Sequence, residues 1–360
     1  MLAQKLAGRL RSLDLPRRIR IMEVCGGHTA AIYRYALHAL LPDTIELLSG
    51  PGCPVCVTPN EYIDRAIAIA DSHHVVLASF GDLLRVPGSH ESLSQARARG
   101  CDVRVYYSSA EALDFAETQP QRNVVFLGIG FETTACTIAA TMRRAIEHNV
   151  RNFKLLSAMK TMPNALRALL SSPDIRVDGL LLPGHVTAIT GTSVFEFLPR
   201  DLGVACTVSG FEPLDILESI DSLAGQILAK APRLENGYRR AVHSAGNASA
   251  QQAMRELFCE TDVTWRGLGA IPQSGLTLRS EFAEWDAAQY RIAAQHGHEH
   301  PACRCGDILR GHTRPQECPL FGSACTPESP LGACMVSSEG ACAAVYQFAN
   351  THEARELHHA

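Results

Sequence analysis

The chain has 360 residues, of which 46% are hydrophobic and 19% are charged, and its formal net charge is −4. These proportions are ordinary for a globular protein and exclude a disordered chain, and the scattered arginines form no basic surface for nucleic acid. No uninterrupted apolar run approaches the roughly 20 residues that span a bilayer, and the N-terminus has no apolar signal core. The sequence therefore predicts a cytoplasmic protein with no membrane segment and no nucleic-acid partner.

After an amphipathic helix at its start, the chain alternates short apolar strands with helical stretches. The predicted strands are residues 19–24, 45–48, 75–79, 103–107, 124–127, 154–157, 179–182 and 204–208. The predicted helices between them are residues 29–41, 60–71, 89–100, 109–117, 133–148, 163–171 and 213–231. Strands that are almost entirely apolar are typical of parallel sheets covered by helices on both faces. The alternation therefore predicts the α/β class with doubly wound parallel sheets.

A weak internal repeat predicts the division into domains. The series EVCGGHT, LLSGPGCPVC, LASFGDLLRVPGS, VRVYY recurs about a hundred residues later as FLGIGFETT, LLSAMKTMP, LLLPGHVTAITG, VACTV. We expect two similar doubly wound domains, at residues 17–120 and 121–230, and a smaller C-terminal domain at residues 231–360. The C-terminal domain is predicted to be mostly helical and loop-rich, with its helical part at residues 239–291 and its loops from residue 296 onward. The first helix, residues 1–16, is expected to pack on this C-terminal domain.

Two cysteine motifs follow predicted strands in the first half of the chain. EVCGGHT places Cys25 at a strand end and His28 at the start of the next helix, and GPGCPVC places Cys53 and Cys56 at another strand-to-helix turn. Functional loops of doubly wound sheets lie at such carboxyl ends. A C-x-x-C pair there is typical of a redox dithiol, because a helix N-terminus favours the thiolate. Cys25 with His28 suits a metal-binding pair or a nucleophile beside a base, and inert thiols in turns or half of a zinc site remain alternatives.

Two further loops are expected at the same edge. GIGFETT supplies Glu132, Thr133 and Thr134, and LPGHVTAITG supplies His185 and Thr187. Each of these residues alone also suits a structural role, since a glutamate in a first helical turn is favourable in itself. The GIG segment is an incomplete dinucleotide fingerprint and no phosphate-binding G-x-x-x-x-G-K motif is present, which argues against a nucleotide site.

Six of the thirteen cysteines fall between residues 303 and 342, in a stretch with little regular apolar periodicity. Four thiolates can hold a [4Fe–4S] cluster, and bound metal would supply the order that this segment lacks. Zinc is the first alternative, although the paired C-x-x-C knuckles of zinc ribbons are absent, and a disulfide or free-thiol arrangement is the second. The predicted cluster ligands are Cys318, Cys325, Cys334 and Cys342. Two more cysteines, Cys303 and Cys305, are alternative ligands that could replace one of these four.

Taken together, these motifs resemble the HypD family of hydrogenase maturation proteins. The resemblance is carried by MEVCGGHT, LLSGPGCPVC, FGD with VPGS, GFETT, LPGHV and CPLFGSACTPESPLGACMVSSEGAC, spread over residues 20–346. It implies two similar α/β domains and a third domain with a [4Fe–4S] cluster. It also implies a complex with a HypC-type small chaperone, cyanide supplied by a HypE-type donor, and transfer of an Fe(CN)2CO group to the large subunit of a [NiFe] hydrogenase.

On matching positions, the resemblance implies that Cys25 holds the iron of Fe(CN)2CO and that the Cys53–Cys56 pair exchanges electrons with the cluster. The side chains expected to line the cleft and hydrogen-bond the cyanide nitrogens are Glu132, Thr133, His185 and Thr187. This describes an assembly scaffold with redox activity rather than a conventional turnover enzyme. Three other functions stay open: a disulfide reductase similar to the ferredoxin-dependent enzymes, for which Cys25 would be dispensable, a zinc-holding docking module, and a nucleotide-hydrolysing assembly factor.

Overall fold

Two parallel sheets and an antiparallel hairpin form the frame of the protein, seen in a computed structural model that describes residues 2–293 and 297–356. Sheet A has five parallel strands in the order β2-β1-β7-β8-β9: β1 (Ile19–Glu23), β2 (Ile45–Ser49), β7 (Gly179–Pro183), β8 (Ala205–Ser209) and β9 (Leu234–Asn236). Sheet B has four parallel strands in the order β4-β3-β5-β6: β3 (Val76–Ser79), β4 (Val103–Val105), β5 (Val124–Gly128) and β6 (Phe153–Ser157). The hairpin is β10 (Phe258–Trp265) with β11 (Gly269–Leu278). The predicted α/β class and its eight strands are confirmed, each strand end lying within two residues of its predicted position.

Thirteen α-helices accompany these strands in the described residues. They are α1 (Leu2–Arg11), α2 (Gly26–Arg34), α3 (Asn60–His73), α4 (Leu93–Ala98), α5 (Ser109–Thr118), α6 (Glu132–Glu147), α7 (Met162–Leu170), α8 (Gly184–Thr190), α9 (Phe197–Leu202), α10 (Pro213–Leu228), α11 (Ala248–Leu257), α12 (Cys305–Leu309) and α13 (Ala341–Glu356). No helix among the described residues is both long enough and apolar enough to cross a membrane. The predicted limits at residues 1, 296 and 360 lie outside the described residues.

Sheet A takes its strands from two separate parts of the chain. Its strand β1 pairs with β7, so that Ile21 lies beside Gly179. In sheet B, β3 pairs with β5 and Val76 lies beside Val124, across the boundary predicted at residue 120. The observed pairing therefore differs from the contiguous division into residues 17–120 and 121–230. Along the chain, all four strands of sheet B (β3 to β6) come between β2 and β7, which both belong to sheet A. Short apolar strands of similar composition carry no local signal for the sheet that they join.

The N-terminal helix packs behind sheet A. Leu10 of α1 is fully buried in a cluster with Ile216 and Ile220 of α10, and Arg9 forms an ion pair with Asp221 of α10 at 3.1 Å. The sequence instead placed this helix on the C-terminal domain. The apolar face of α1 indicates that the helix packs against an apolar surface, but it does not specify which part of the protein supplies that surface.

The stretch 239–291, predicted to be mostly helical, contains the β10–β11 hairpin, so that prediction was wrong for this segment. Only the ends of β10 are buried, at Phe258 and Trp265, and its exposed polar middle hides the alternation that would mark a strand. Its partner β11 contains Pro272 and two glycines, residues that usually argue against a strand. The register is irregular between Thr261 and Val263, which accommodates this composition at a bulge.

A buried lysine at the end of β6 predicts a pH dependence of stability. Lys160 is 2% exposed, its Nζ donates to the Thr264 carbonyl oxygen at 3.1 Å, and burial lowers its pKa to about 7. The unfolded chain keeps this proton up to about pH 10.4, so between these values the unfolded state binds more protons and stability rises with pH. We expect the free energy of unfolding of the protein, relative to Lys160→Met, to rise by about 3 kcal/mol from pH 7 to 9.5.

Urea titrations at these two pH values measure the free energy of unfolding of the protein and of Lys160→Met, and the difference between the two proteins is compared across pH. Lys5→Met is the control, because Lys5 is an exposed lysine on α1 and its replacement removes the same charge from the protein surface. If the difference in free energy of unfolding between the protein and Lys160→Met were the same at both pH values, Lys160 would keep its proton in the folded protein.

Candidate functional site

Cys25 lies at the carboxyl edge of sheet A, directly after β1. It is the N-cap of α2, with an extended backbone (φ −153°, ψ 122°), and its side chain makes no capping hydrogen bond. The sulfur is therefore free to face the neighbouring strand end, where Cys25 Sγ lies 3.7 Å from Nδ1 of His185. His185 follows β7, which pairs with β1 along sheet A, and this pairing brings two distant motifs together.

The Cys25 site is buried, and both its thiol and the imidazole of His185 are uncharged at neutral pH. Burial raises the pKa of the Cys25 thiol, and the backbone N–H groups of His28 and Gly27 act in the opposite direction. Burial also lowers the pKa of His185 to about 4, so its imidazole is uncharged. A protonated thiol beside a neutral imidazole can lose its proton when a cation binds the sulfur, since metal binding requires the thiolate.

A buried carboxyl group holds the backbone of Cys25. Glu23, the last residue of β1, accepts hydrogen bonds from the Cys25 N–H at 3.1 Å and the Thr29 hydroxyl at 2.5 Å. Burial raises the pKa of Glu23 to about 8. No role was predicted for Glu23, although a carboxylate that directly precedes the Val-Cys of EVCGGHT at a strand end was an available signal.

His28 does not face the Cys25 sulfur, in contrast to the pair suggested by the C-x-x-H spacing. Its Nε2 lies 2.9 Å from the Gly210 carbonyl oxygen, and its ring stacks on Phe211 with 4.8 Å between centroids. Burial lowers the pKa of His28 to about 4, so Nε2 donates to that carbonyl as part of a neutral ring. The structure therefore gives His28 a packing role between α2 and the loop after β8, and it places His185 beside the thiol.

The C-x-x-C loop packs directly against Cys25. A Cβ atom on Gly52 would collide with the backbone of Cys25, and the Gly26 N–H donates to the Gly52 carbonyl oxygen at 3.1 Å. Cys53 and Cys56 are buried and unbonded, and the Cys56 N–H donates to Cys53 Sγ at 3.3 Å. The dithiol therefore follows Cys25 along the same edge, as the sequence predicted.

All six tail cysteines line one small cavity, which we call the tail cavity. Cys305 and Cys334 are joined as a disulfide, and the free thiols of the cavity are Cys303, Cys318, Cys325 and Cys342. The Cys56 sulfur lies 3.9 Å from the carbonyl oxygen of Ala333, the residue before Cys334. The C-x-x-C loop therefore meets the tail next to the disulfide.

The four free thiols of the tail cavity are electrostatic neighbours. Burial raises the pKa of Cys342, and the charges of Cys325, Cys303 and Cys318 raise it further. The Leu331 N–H donates to Cys325 Sγ at 3.3 Å. The sequence chose Cys334 as a cluster ligand, whereas the structure pairs it with Cys305 and brings Cys303 into the free set. Even spacing along the chain does not reveal which two of six cysteines the fold brings into bonding distance.

The donor set of the tail cavity fits an iron–sulfur cluster. Four cysteine thiols with a backbone N–H donor to sulfur are the ligands and the surroundings that such clusters use. Among the described residues, no three histidine, cysteine or acidic side chains are grouped as they would be round a single metal ion.

Glu132 lies at the carboxyl edge of sheet B rather than beside Cys25. Its Oε1 accepts the Met162 N–H at 2.9 Å, its other oxygen has no partner among the described residues, and burial raises its pKa to about 7. The neighbouring Thr133 is half-buried. On sheet A, the Thr187 hydroxyl donates to the Pro183 carbonyl oxygen at 2.8 Å inside α8. Of the four side chains expected to line the cleft, the structure places His185 next to Cys25.

Comparison with known proteins agrees with the motifs. A family model named HypD, described as "Hydrogenase formation hypA family", matches residues 1–349. The chain is 48% identical over 339 residues to hydrogenase maturation factor HypD of Escherichia coli (strain K12), covering 94% of this chain and 91% of the relative. It is 43% identical over 357 residues to that of Cupriavidus necator, covering 96% and 94%. Hydrogenase expression/formation protein HupD of Azotobacter chroococcum is 42% identical over 361 residues, covering 98% and 95%.

Proposed function

Because the chain belongs to the HypD family and therefore acts in hydrogenase maturation, we propose that it is the scaffold on which Fe(CN)2CO is assembled for [NiFe] hydrogenases. In this proposal it works in complex with a HypC-type small chaperone, receives cyanide from a HypE-type donor, and passes the finished group to the hydrogenase large subunit. The observation that carries the proposal is the buried Cys25, whose sulfur lies 3.7 Å from the His185 imidazole and whose backbone contacts the C-x-x-C loop at Gly52.

In the proposal, Cys25 holds the iron substrate. The thiol loses its proton as the sulfur–iron bond forms, and a soft thiolate suits iron that carries cyanide and carbon monoxide. The N–H groups of Gly27 and His28 favour the thiolate, and Glu23 fixes the Cys25 backbone. His185 is placed to hydrogen-bond the iron-bound ligands, because its ring is the side chain beside the sulfur.

The second part of the proposal is that the tail cavity holds a [4Fe–4S] cluster. We assign its ligands as the four free thiols, Cys303, Cys318, Cys325 and Cys342. When bound, a cluster of this kind supplies electrons one at a time. The cavity is also lined by apolar side chains such as Ile308 and Phe321.

The third part is a thiol relay between the two cysteine pairs. The Cys53–Cys56 dithiol and the Cys305–Cys334 disulfide exchange two electrons and two protons, so that one pair is oxidised as the other is reduced. Support comes from the contact of Cys56 with the carbonyl oxygen of Ala333, which brings the Cys53–Cys56 dithiol next to Cys334 of the disulfide. Such a relay stores the two-electron equivalents that reduction of an iron centre requires.

Gly332→Ala is expected to displace one proposed cluster ligand. A Cβ atom on Gly332 would lie 2.6 Å from Cys303 Sγ, closer than real Cβ contacts allow. We expect the iron content of the anaerobically purified protein to fall by about half or more, because small ligand displacements weaken metal sites 10–100-fold. Gly225→Ala in α10 is the matched control, since a Cβ atom there meets nothing within 4 Å. Unchanged iron and sulfide in Gly332→Ala would place the cluster away from Cys303.

The experiment that tests the function is infrared spectroscopy of the complex. The chain is co-expressed with the chaperone and the cyanide donor, purified anaerobically, and examined for bands of iron-bound cyanide and carbon monoxide. Two cyanide bands and one carbon monoxide band in the complex, absent from chaperone purified without this chain, are expected. A complex that carries iron but shows no such bands, or bands that persist on the chaperone alone, would contradict the scaffold function.

A further inference from the structure

The turn of the β10–β11 hairpin is wedged between the two cysteine pairs. The Arg266 N–H donates to the Val57 carbonyl oxygen at 2.9 Å, just after the C-x-x-C loop. The next residue, Gly267, packs its backbone against Gly306, which follows Cys305 of the tail disulfide. This short turn therefore contacts both segments whose sulfurs are proposed to exchange electrons.

The Arg266 side chain is buried in the same wedge. It is 3% exposed, and its Nε donates to the Thr58 carbonyl oxygen at 2.8 Å. Its Nη1 lies 3.8 Å from Glu299, whose side chain is 42% exposed. Its Nη2 is buried and has no hydrogen-bond partner among the residues that the structure describes. The guanidinium thus keeps one free donor inside the protein.

The buried guanidinium of Arg266 has only one long ion pair, with Glu299, so it needs further negative charge nearby. Transfer of a full charge into the protein interior is costly unless it is paired and hydrogen-bonded, and Glu299 is too far and too exposed to do this alone. Arginine also keeps its proton when buried, so the charge is permanent. The other groups that interact electrostatically with Arg266 are Cys303, Cys56 and Glu61. Sulfur, including that of Cys56 in the C-x-x-C pair, is therefore one source of the negative charge available to Arg266.

We propose that Arg266 is a positioning residue of the thiol relay: its guanidinium holds the C-x-x-C loop against the tail and offers its free N–H to the negative charge on the exchanging sulfurs. This inference rests on the proposed function, because it concerns the same two cysteine pairs. It adds a charged group that the cysteine motifs do not contain.

The exchange that Arg266 supports is balanced within the chain. A Cys56 thiolate attacks Cys334, a mixed disulfide forms, and Cys305 leaves as a thiolate that takes up a proton. Cys53 then loses its proton, attacks Cys56, and releases Cys334, which is protonated in turn. Each attack spreads negative charge over three sulfurs in a water-poor interior, where a fixed cation stabilises it strongly.

The test follows the two cysteine pairs in the full chain under anaerobic conditions. Both pairs are first oxidised, one equivalent of dithiothreitol is added, and samples are acid-quenched, alkylated and analysed by mass spectrometry for the electrons held by each pair. Arg266→Gln keeps a donor for the Thr58 carbonyl oxygen but removes the charge, whereas Arg266→Lys keeps the charge. Arg85→Gln is the matched control, because Arg85 anchors the tail through the carbonyls of Pro327 and Val336.

We expect redistribution between the pairs to be about tenfold slower in Arg266→Gln, with Arg266→Lys much closer to the original rate and Arg85→Gln unchanged. Equal rates in Arg266→Gln and the original protein would overturn the inference while leaving the relay intact. An absence of redistribution in the original protein would instead overturn the relay.

A further variant covers the case in which Arg266→Gln fails to fold. Glu299→Gln changes only a partly exposed partner of the guanidinium and leaves its charge less compensated. Redistribution is expected to be about threefold faster in this variant. A rate equal to or below that of the original protein would count against the charge of Arg266.

Discussion

Alanine in place of Cys25 is expected to abolish the infrared bands of iron-bound cyanide and carbon monoxide and to stop hydrogenase maturation. The sulfur is the proposed protein ligand of the iron, and no other cysteine follows a strand of sheet A within contact of His185 among the described residues. Loss of a ligand exceeds the 10–100-fold effects typical of the residues that merely orient ligands. Maturation should therefore fall to below about 1% of the original activity.

Cys206→Ala is the matched control for this variant. Cys206 is a fully buried cysteine on β8 of the same sheet, and its sulfur donates a weak hydrogen bond to the Val204 carbonyl oxygen at 3.3 Å. Both variants lose a similar buried volume, so a common loss would reflect packing and a selective loss would reflect chemistry. The measurements are the infrared spectrum and the iron content of the chaperone complex.

The same variant separates the scaffold from its main competitor. A disulfide reductase needs the Cys53–Cys56 pair and the tail, and it predicts that Cys25 is dispensable. Retention of the cyanide and carbon monoxide bands and of maturation in Cys25→Ala would therefore remove the scaffold role of Cys25 and favour the reductase. Loss of the bands with intact exchange between the cysteine pairs would assign Cys25 to the iron and the pairs to electron transfer.

The edge that carries the site was predictable from the sequence. A parallel strand followed by a small-residue turn places its next side chain at the carboxyl edge of the sheet, and Cys25, Cys53 and His185 all lie there. The pairing of Cys25 with His185 was not predictable, because it depends on β1 lying next to β7 across about 160 residues. The local C-x-x-H spacing pointed to His28, whose ring faces β8 instead.

The tail shows the same limit of local patterns. Its cysteine content indicated metal chemistry, but the disulfide joins Cys305 and Cys334 across a separation of 29 residues and leaves Cys303 free. Arg266 belongs to none of the motifs, and Glu23 is the first residue of EVCGGHT but had no predicted role. Their importance follows from burial and from hydrogen bonds to distant backbone groups, which only the assembled fold determines.

Serine at Cys303 is expected to remove bound iron, whereas serine at Cys334 is expected to leave it in place. If the free thiols of the tail cavity hold the cluster, Cys303→Ser removes a ligand, and iron and acid-labile sulfide should fall from about four of each per chain to well below two. Cys334→Ser breaks the disulfide but leaves all four proposed ligands in place, so its iron, sulfide and brown colour should persist. The measurement is metal and sulfide analysis with a visible spectrum on anaerobically purified protein.

The reverse result would restore the ligand set suggested by the even spacing of the tail cysteines. A brown Cys303→Ser and a colourless Cys334→Ser would mean that Cys334 binds the cluster, and the Cys305–Cys334 disulfide would then not belong to the relay. A third result is also decisive: original protein that is colourless and carries one zinc would exclude the cluster. Because Cys303 and Cys334 line the same cavity, general damage to the tail would affect both variants alike, and only a difference between them identifies the ligand.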